Sequence, residues 1–191
     1  TNLDEGCLSA LAEAGALHGI GLERRDALWA VRGLTRGSRP SLPVPDPERQ
    51  PSFVLLDPLE SIAWDLRTTA HSTRGHPLEP LREELRSQGL LDAREVTALP
   101  HGSRVRYAGI VICRQRPSTA SGVTFLTLED EGGFVNLVVW TRVFEAYHIL
   151  VKPASFLGVT GHIESRDGVV HLIADSFWEP KLSRPPQRAA S

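Results

Sequence analysis

One stretch of this chain reads Gly122-Val-Thr-Phe-Leu-Thr-Leu-Glu-Asp-Glu-Gly-Gly-Phe-Val-Asn-Leu-Val-Val-Trp140, two alternating segments on either side of an acidic turn that ends in two glycines. Side chains alternate between the two faces of a strand, so parity assigns each residue to a face. The aliphatic set, which we expect inside, is Leu126, Leu128, Val135, Leu137 and Val139. The opposite set is Phe125, Thr127, Asn136, Val138 and Trp140. The pattern predicts a β-hairpin with one buried face and one outer face.

Strand-like segments continue on both sides of this hairpin. Arg104–Arg116 is a long segment rich in β-branched residues, and Phe156–Glu164 with Val169–Ser176 forms a second predicted hairpin. Between the two hairpins, Thr141–Leu150 has apolar residues at helical spacing. Three strands, a helix and two strands is the order of the OB fold. We therefore predict an α+β chain in which residues 100–178 form a five-stranded OB-fold β-barrel.

Three regions precede the barrel and one follows it. Residues 1–34 resemble a helix-hairpin-helix, with apolar residues at helical spacing on both sides of Gly19-Ile20-Gly21. Residues 35–60 contain six prolines and are predicted to be a linker. Residues 61–99 return to helical spacing, with an apolar stripe formed by Leu78, Leu81 and Leu85, and are predicted to form a helical connector. Asp92 and Glu95 have the spacing of a capping box, which predicts a last short helical turn there. The proline-containing tail, residues 179–191, is predicted to be disordered.

The bulk composition limits how this chain can bind other molecules. It has 191 residues, a formal net charge of −2 and 41% hydrophobic residues. Such a globular composition gives no overall attraction for nucleic acid, so that binding requires a local surface. No apolar run approaches the roughly 18 residues of a membrane span and no signal-peptide pattern opens the chain, which indicates no membrane partner and a cytoplasmic protein. The chain contains no methionine, which indicates a piece of a longer protein.

The outer face of the first hairpin has side chains suited to single-stranded nucleic acid. Phe125 is an aromatic ring beside the small polar groups of Thr127 and Asn136, an arrangement that supports base stacking and recognition of base edges. The full set of candidate nucleic-acid-binding residues is Arg114, Arg116, Phe125, Thr127, Asn136, Trp140, His162 and Arg166.

The first strand adds positive charge to this surface. Arg104, Arg106, Arg114 and Arg116 lie within thirteen residues that contain no acid. Arg114 and Arg116 share a parity and lead into the loop next to Phe125, so we expect them to bind phosphates or to stack on bases. The alternative is that these arginines form a solvated edge and that Phe125 completes the core.

Three blocks of sequence, in order, resemble the C-terminal region of bacterial C-family DNA polymerase III alpha subunits. The blocks are Ala14-Gly-Ala-Leu17 with Arg24-Arg-Asp-Ala-Leu-Trp29, then Trp64-Asp-Leu-Arg-Thr-Thr-Ala-His-Ser72 with His76-Pro77-Leu78, and finally Arg114-Gln-Arg-Pro117 with the Val-Val-Trp140 end of the hairpin. The last block is most similar to the error-prone, damage-tolerant branch (the ImuC type). Leu66 departs from the family, which usually has Tyr there, and residues 35–60 lack a clear clamp-binding pentapeptide.

The resemblance implies that the parent enzyme adds nucleotides across damaged template, in translesion synthesis and DNA repair. It implies that this chain lies downstream of the catalytic region, so no catalytic residue and no cofactor is expected here, and Mg²⁺ only in that absent region. The implied partners are single-stranded and primer-template DNA. Gly19 and Gly21 are then expected to present backbone N–H groups to duplex phosphates, with Arg24 and Arg25 adding charge. The alternative is that this hairpin only packs helices.

Other chemistry is not indicated by the residues. The acids Glu129, Asp130 and Glu131 lie in a two-glycine hairpin turn, where we expect them to be solvated rather than to hold catalytic metal ions. His162 and His171 are expected to face each other across the second hairpin. Two ligands are too few for a structural zinc site, so we predict no metal site.

Two other functions remain open. A protein-interaction module that docks the polymerase to accessory proteins or to the sliding clamp is favoured by the low net charge and by the apolar Trp140, Phe177 and Trp178. An RNA-binding OB module of the anticodon-binding type is the second alternative. The helix-hairpin-helix upstream of the barrel argues against it, because the synthetases with such barrels do not carry that element there.

Overall fold

The computed structural model of the chain describes residues 4–36, 53–69, 72–117, 122–166, 168–184 and 186. The chain divides into two compact units, and the division follows Arg74. This position falls inside the predicted connector, residues 61–99. The first part of the connector therefore belongs to the helical unit and the second part to the unit that contains the barrel.

The first unit begins with two helices joined by a tight turn. α1 spans Glu5–Glu13 and α2 spans Arg24–Arg36, with a 3₁₀ helix, Ala16–Ile20, between them. Gly15 and Gly21 flank this 3₁₀ helix with φ angles of 75° and 83°. Residues with a side chain avoid this left-handed region, so the reversal of the chain depends on the two glycines.

A third helix and a small apolar core complete the first unit. α3 spans Pro58–Thr69, so it begins inside the predicted linker, residues 35–60, rather than after it. The start is set by a reciprocal cap, because Asp57 accepts a hydrogen bond from the Glu60 N–H at 2.8 Å and Glu60 accepts one from the Asp57 N–H at 3.1 Å. The buried core residues are Ala12, Ala27 and Val31. Residues 37–52 of the predicted linker lie outside the described residues.

Two short helices open the second unit. α4 spans Arg82–Ser87 after a 3₁₀ turn at Glu79–Leu81, and α5 spans Ala93–Thr97. α5 starts with the predicted capping box, in which Asp92 and Glu95 each accept a hydrogen bond from the other's backbone N–H at 2.9 Å. The predicted apolar stripe is buried and consists of Leu78, Leu81 and Leu85.

Five strands of the second unit close into a barrel. They are β1 (Arg104–Gln115), β2 (Thr124–Asp130), β3 (Gly133–Val139), β4 (Phe156–Arg166) and β5 (Val169–Trp178), with α6 (Thr141–Val151) between β3 and β4. The order around the barrel is β1-β2-β3-β5-β4, and the pairing of β4 with β1 closes it. Neighbouring strands are antiparallel except β3 and β5, which are parallel. This is the OB fold, and the predicted α+β class is confirmed.

The barrel interior contains the aliphatic face of the first hairpin. The five residues predicted to point inward are at most 2% exposed: Leu126, Leu128, Val135, Leu137 and Val139. Phe144 and Val151 of α6 join the same core. Because this face is buried, the alternate residues of β2 and β3 must lie on the outer surface.

The segment that follows the barrel contacts the region of α4. Residues 179–184 lie against α4, where Ser183 donates to the Glu84 carboxylate from its backbone N–H at 2.7 Å and from its hydroxyl at 2.8 Å. Gln88 also donates to the carbonyl of Lys181 at 2.8 Å. These contacts connect residues 181 and 183 to the α4 region, and the disorder of the tail stays a prediction. Residues 185 and 187–191 lie outside the described part of the chain.

Candidate nucleic-acid interface

The outer face of β2 and β3 has an exposed aromatic beside a polar pair. Phe125 pairs with Val138 and is 37% exposed, so it does not complete the core. Thr127 pairs with Asn136 and donates a hydrogen bond to its Oδ1 at 3.0 Å, which leaves the amide N–H groups of Asn136 for another partner. The surface that we call the β2–β3 face is defined by Phe125, Thr127, Glu129, Phe134, Asn136, Val138 and Trp140.

Two more aromatic side chains are exposed on this face. Trp140 directly follows the last residue of β3 and is 55% exposed, as its parity predicts. Phe134, the second residue of β3, pairs with Glu129 and is 58% exposed. Phe134 is not among the binding residues predicted from the sequence, although it shares the parity of Asn136 and Trp140. The alternation of β3 therefore contained the signal for a further aromatic on the surface.

A β-bulge in β1 changes the predicted position of two arginines. The register of β1 against β2 shifts around Ile112, which has no partner on β2. Beyond the bulge the parity of β1 is inverted. Gln115 therefore pairs with Phe125, while Arg114 pairs with an inward-facing residue of β2. The prediction that Arg114 and Arg116 lie next to Phe125 is wrong for this reason.

Both arginines contact the region of α6 instead. Arg114 donates from Nε to the carbonyl of Val151 at 3.1 Å and from a terminal nitrogen to the carbonyl of Ala154, so it satisfies acceptors at the end of the helix. Arg116 places its guanidinium carbon 5.4 Å from the centroid of the Phe144 ring, within cation–π range. A role of Arg114 and Arg116 in binding stays a prediction.

The remaining barrel candidates lie on β4, which is not a neighbour of β2. His162 has its Nδ1 3.6 Å from Asp175, and Asp175 also pairs with Arg104 at 3.1 Å. Arg166 is exposed at the end of β4, next to the turn into β5. The structure therefore brings Phe125, Thr127, Asn136 and Trp140 together, but it does not bring His162 to the same face.

Metal binding is not indicated among the described residues. They contain no group of three or more His, Cys, Asp or Glu side chains placed to hold an ion. The expectation that His162 and His171 face each other is wrong, because His171 pairs with Glu164 across β4 and β5. Among the same residues, no helix combines the length and the apolar character needed to cross a membrane.

The arginines of the first unit bind neighbouring protein groups. Arg24 is 8% exposed and donates to the Asp65 carboxylate and, at 3.3 Å, to the carbonyl of Ser61. Arg25 donates to the carbonyl of Val54 at 3.0 Å. Because Arg24 is buried and its charge is balanced by Asp65, the prediction that it adds charge to a phosphate site is corrected.

The two glycines of the predicted phosphate site differ in backbone conformation. Gly19 lies within the 3₁₀ helix, and Gly21 follows it with a φ angle of 83°. A Cβ at either position would meet nothing within 4 Å, so the backbone around both residues is open. Phosphate binding there rests on Gly19 and Gly21 and on the partly exposed Arg25, and it stays a prediction.

The acids of the β2–β3 turn are held by a buried arginine. Arg82 of α4 donates to Asp130 at 3.0 Å and to both carboxylate oxygens of Glu131, one of them at 2.9 Å. Asp130 is 2% exposed and also accepts from the N–H groups of Ala93 at 2.9 Å and Gly132 at 2.7 Å. The expectation that Asp130 and Glu131 are solvated is wrong, because this cation of the connector reaches them.

Burial shapes the titration of this cluster. Burial is the largest influence on the Asp130 carboxyl and raises its pKa, and the Glu131 charge adds to this rise; the Gly132 N–H, the Arg82 charge and the Ala93 N–H offset it only in part. Burial alone would also raise the pKa of Glu131, but the hydrogen bonds from Arg82 leave it below its usual value. The pKa values of Asp130 and Glu131, which both bind Arg82, are therefore shifted in opposite directions.

One acid does lie on the β2–β3 face. Glu129 points outward, is partly exposed and pairs with Phe134. Burial raises the pKa of Glu129, and the charge of Asp130 adds to this rise. Arginine and lysine are absent from the residues that define this face. It therefore presents rings, a hydroxyl, an amide and one carboxylate.

Comparison with known proteins gives one matching domain and a set of relatives. Residues 105–180 match the model of the OB-fold nucleic acid binding domain. The chain is 42% identical over 180 residues to the error-prone DNA polymerase of Caulobacter vibrioides, covering 90% of this chain and 16% of that protein. It is 38% identical over 184 residues to error-prone DNA polymerase 1 of Rhizobium meliloti, covering 92% of this chain and 16% of that protein. The chain thus spans about one sixth of the length of these relatives.

Two solved structures are similar to this chain over less than half of its length. Asparaginyl-tRNA synthetase from Pyrococcus horikoshii has a TM-score of 0.40 at 23% identity, covering 46% of this chain and 22% of that chain. A small single-stranded DNA binding protein from Mycoplasma pneumoniae has a TM-score of 0.37 at 8% identity, and the match covers 45% of this chain and 100% of that chain.

Proposed function

We propose, from the premise that this chain is homologous over nine-tenths of its length to one segment of the error-prone DNA polymerases, that it is a non-catalytic DNA-binding part of such an enzyme. In this proposal the OB barrel binds single-stranded template DNA. The polymerase activity, translesion synthesis and DNA repair belong to the whole protein, of which the chain corresponds to about one sixth.

The composition of the β2–β3 face is the observation that carries this proposal. Phe125, Phe134 and Trp140 are each more than one-third exposed. The hydrogen-bonded pair of Thr127 and Asn136 lies between the two phenylalanines along the strands. Base stacking on an aromatic side chain contributes about 1–3 kcal/mol for each base. Such a face binds unpaired bases, whose ring surfaces are accessible, better than it binds a duplex.

The charge of the face predicts how the strand is oriented. Arg114 and Arg116 contact the region of α6, and Glu129 is the charged residue of the β2–β3 face. Bases therefore lie toward the barrel and phosphates toward solvent. Since the salt dependence of binding counts the phosphates neutralised by cations, we expect only a shallow slope of log affinity against log salt.

A titration of the 191-residue chain tests this function. Fluorescently labelled single-stranded, duplex and primer-template DNA of one sequence are compared at low and moderate salt. We expect the single strand and the single-stranded overhang to bind more tightly than the duplex. RNA of the same sequence serves as a further probe, and a preference for RNA would favour the anticodon-binding type of module instead.

Phe125→Ala is the variant that localises the binding. It should weaken single-strand affinity by about 1–3 kcal/mol, since one stacking platform is lost. Ile149→Ala is the matched control, because Ile149 is an apolar residue of α6 that is 79% exposed and lies off the face. Equal affinities of the two variants, with both folded, would remove the β2–β3 face from the binding site.

A second candidate function is protein docking, and the first unit carries the observation that favours it. Trp29 and Phe53 contact each other edge to face with ring centroids 6.5 Å apart, and the adjacent Val54 and Leu55 are 80% and 70% exposed. By contrast Phe177 is 4% exposed and lies in the barrel core. Binding of the purified sliding clamp that is lost in Val54→Ser/Leu55→Ser, without any DNA binding, would favour docking.

A further inference from the structure

Phe134 is too far from Phe125 to bind the same base. Phe125 pairs with Val138 and Phe134 pairs with Glu129, so the two rings are four residues apart along the strands. Four residues at about 3.4 Å each, on strands about 4.8 Å apart, give a separation of roughly 14 Å. A base held between two rings needs roughly 7 Å, which is two stacking distances of about 3.4 Å. Phe134 therefore belongs to a different nucleotide position.

A carboxylate lies directly beside this second ring. Glu129 and Phe134 are cross-strand partners on the outer face, where side chains of such a pair start about 5 Å apart at Cβ. Glu129 has no ion pair within 4.0 Å among the described residues, whereas the neighbouring Asp130 and Glu131 are bound by Arg82. A base stacked on Phe134 thus meets an acceptor that is not already used by a cation.

The chemistry of a carboxylate discriminates among bases. An ionised carboxylate accepts hydrogen bonds and donates none. Cytosine presents an N4 amino group, for which acidic side chains are the natural acceptors. Uracil and thymine present a carbonyl oxygen at the same ring position, which repels the carboxylate. A phosphate beside Glu129 would also be repelled, so this side chain favours a base edge over the backbone.

We propose that Phe134 and Glu129 form a second base subsite on the β2–β3 face, in which Phe134 stacks on a base and the Glu129 carboxylate accepts a hydrogen bond from an exocyclic amino group. The subsite therefore prefers an amino-bearing base such as cytosine to uracil or thymine. This inference rests on the proposed binding of single-stranded DNA by the barrel, and it adds a nucleotide position and a base preference to that function.

Two matched oligonucleotides test the preference. Oligodeoxycytidylate and oligodeoxyuridylate of one length have the same backbone and ring size and lack the thymine methyl, but they differ in the amino or carbonyl group at C4. At mildly alkaline pH, where Glu129 is ionised, we expect the wild-type chain to bind the cytidylate about fivefold more tightly, the lower end of the discrimination of one base contact.

Two substitutions and one control separate stacking from base recognition. Glu129→Gln should reduce the ratio of the two affinities toward one, because an amide both donates and accepts and suits either base. Phe134→Ala should weaken both oligonucleotides by about 5- to 150-fold, the loss of one stacked base. Glu145→Gln is the control, since Glu145 is an exposed acid of α6 and its substitution should leave the ratio unchanged.

The outcomes distinguish this inference from the function on which it rests. Equal affinity of the wild-type chain for the two oligonucleotides, with binding still lost in Phe125→Ala, would overturn the subsite and leave the proposed function intact. An equal gain in affinity for both oligonucleotides in Glu129→Gln would also overturn it, because Glu129 would then act by repelling phosphate. Absence of binding to either oligonucleotide would overturn both proposals.

Discussion

Arg82→Met is expected to destabilise the barrel unit by about 3–5 kcal/mol at neutral pH, because removing one partner of a buried ion pair leaves an uncompensated charge. The Arg82 side chain is 10% exposed and the Asp130 side chain is 0% exposed. Methionine keeps most of the volume of the arginine stem but removes the hydrogen bonds to Asp130 and Glu131. Asp130 then remains buried with backbone donors but no cation.

The loss of stability in Arg82→Met should shrink as the pH falls. Burial already raises the pKa of Asp130 in the folded protein, and removal of Arg82 raises it further. The folded variant then binds a proton that the unfolded chain has released, so its stability falls as pH rises from the unfolded pKa toward the folded pKa. In the wild type, the lowered pKa of Glu131 contributes stability that is lost at acidic pH. Both effects reduce the difference between the unfolding free energies of the variant and the wild type at acidic pH.

Urea unfolding followed by far-UV circular dichroism, at neutral and at mildly acidic pH, measures this effect. Arg142→Met on α6 is the control, since Arg142 is exposed and a surface substitution there should change stability by less than about 0.5 kcal/mol. The double variant Arg82→Met/Asp130→Asn should recover part of the loss, because the unpaired charge is gone. A loss no greater than that of the control, or one independent of pH, would refute the reasoning.

Three further substitutions test contacts that the structure assigns. Arg114→Ala should cost about 1–3 kcal/mol in thermal unfolding, because it leaves carbonyls at the end of α6 without a donor; a larger effect on single-strand affinity than on stability would return Arg114 to the binding site. Arg24→Met should cost about 1–3 kcal/mol in the first unit, since it removes a hydrogen-bonded cation from the buried Asp65, which keeps the Ser72 hydroxyl at 2.8 Å and the Arg74 guanidinium at 3.7 Å; an unchanged unfolding curve would contradict that burial. Gly161→Ala should cost about 1–3 kcal/mol or more, because a Cβ there collides with the carbonyl oxygen of Ile173; wild-type stability would show that β4 and β5 can separate locally.

Local periodicity was enough for the features that depend on neighbouring residues. The alternation over residues 122–140 correctly assigned the inner and outer faces of the first hairpin, including the exposure of Phe125 and Trp140. The spacing of Asp92 and Glu95 correctly predicted a capping box. These features follow from backbone geometry over two to four residues. The same alternation places Phe134 on the outer face, although Phe134 was not among the predicted binding residues.

Charged residues were harder to place, because their environment depends on partners that are distant in the sequence. Arg82 and Asp130 are 48 residues apart, and Arg24 and Asp65 are 41 residues apart. By residue type alone each of these side chains is expected at the surface. Burial becomes possible when a partner of opposite charge supplies the hydrogen bonds that water would otherwise supply.

The amino-acid order was sufficient for the class of fold, for the order of strands and helix along the barrel segment, and for the outward direction of Phe125, because periodicity and turns act locally along the chain. The tertiary structure decided which charges lie on the β2–β3 face. The bulge at Ile112 inverts the parity of the end of β1, and it turns Arg114 and Arg116 toward the region of α6. A shift of one residue in strand pairing moves every later side chain to the opposite face, and pairing between strands is decided only when the barrel closes.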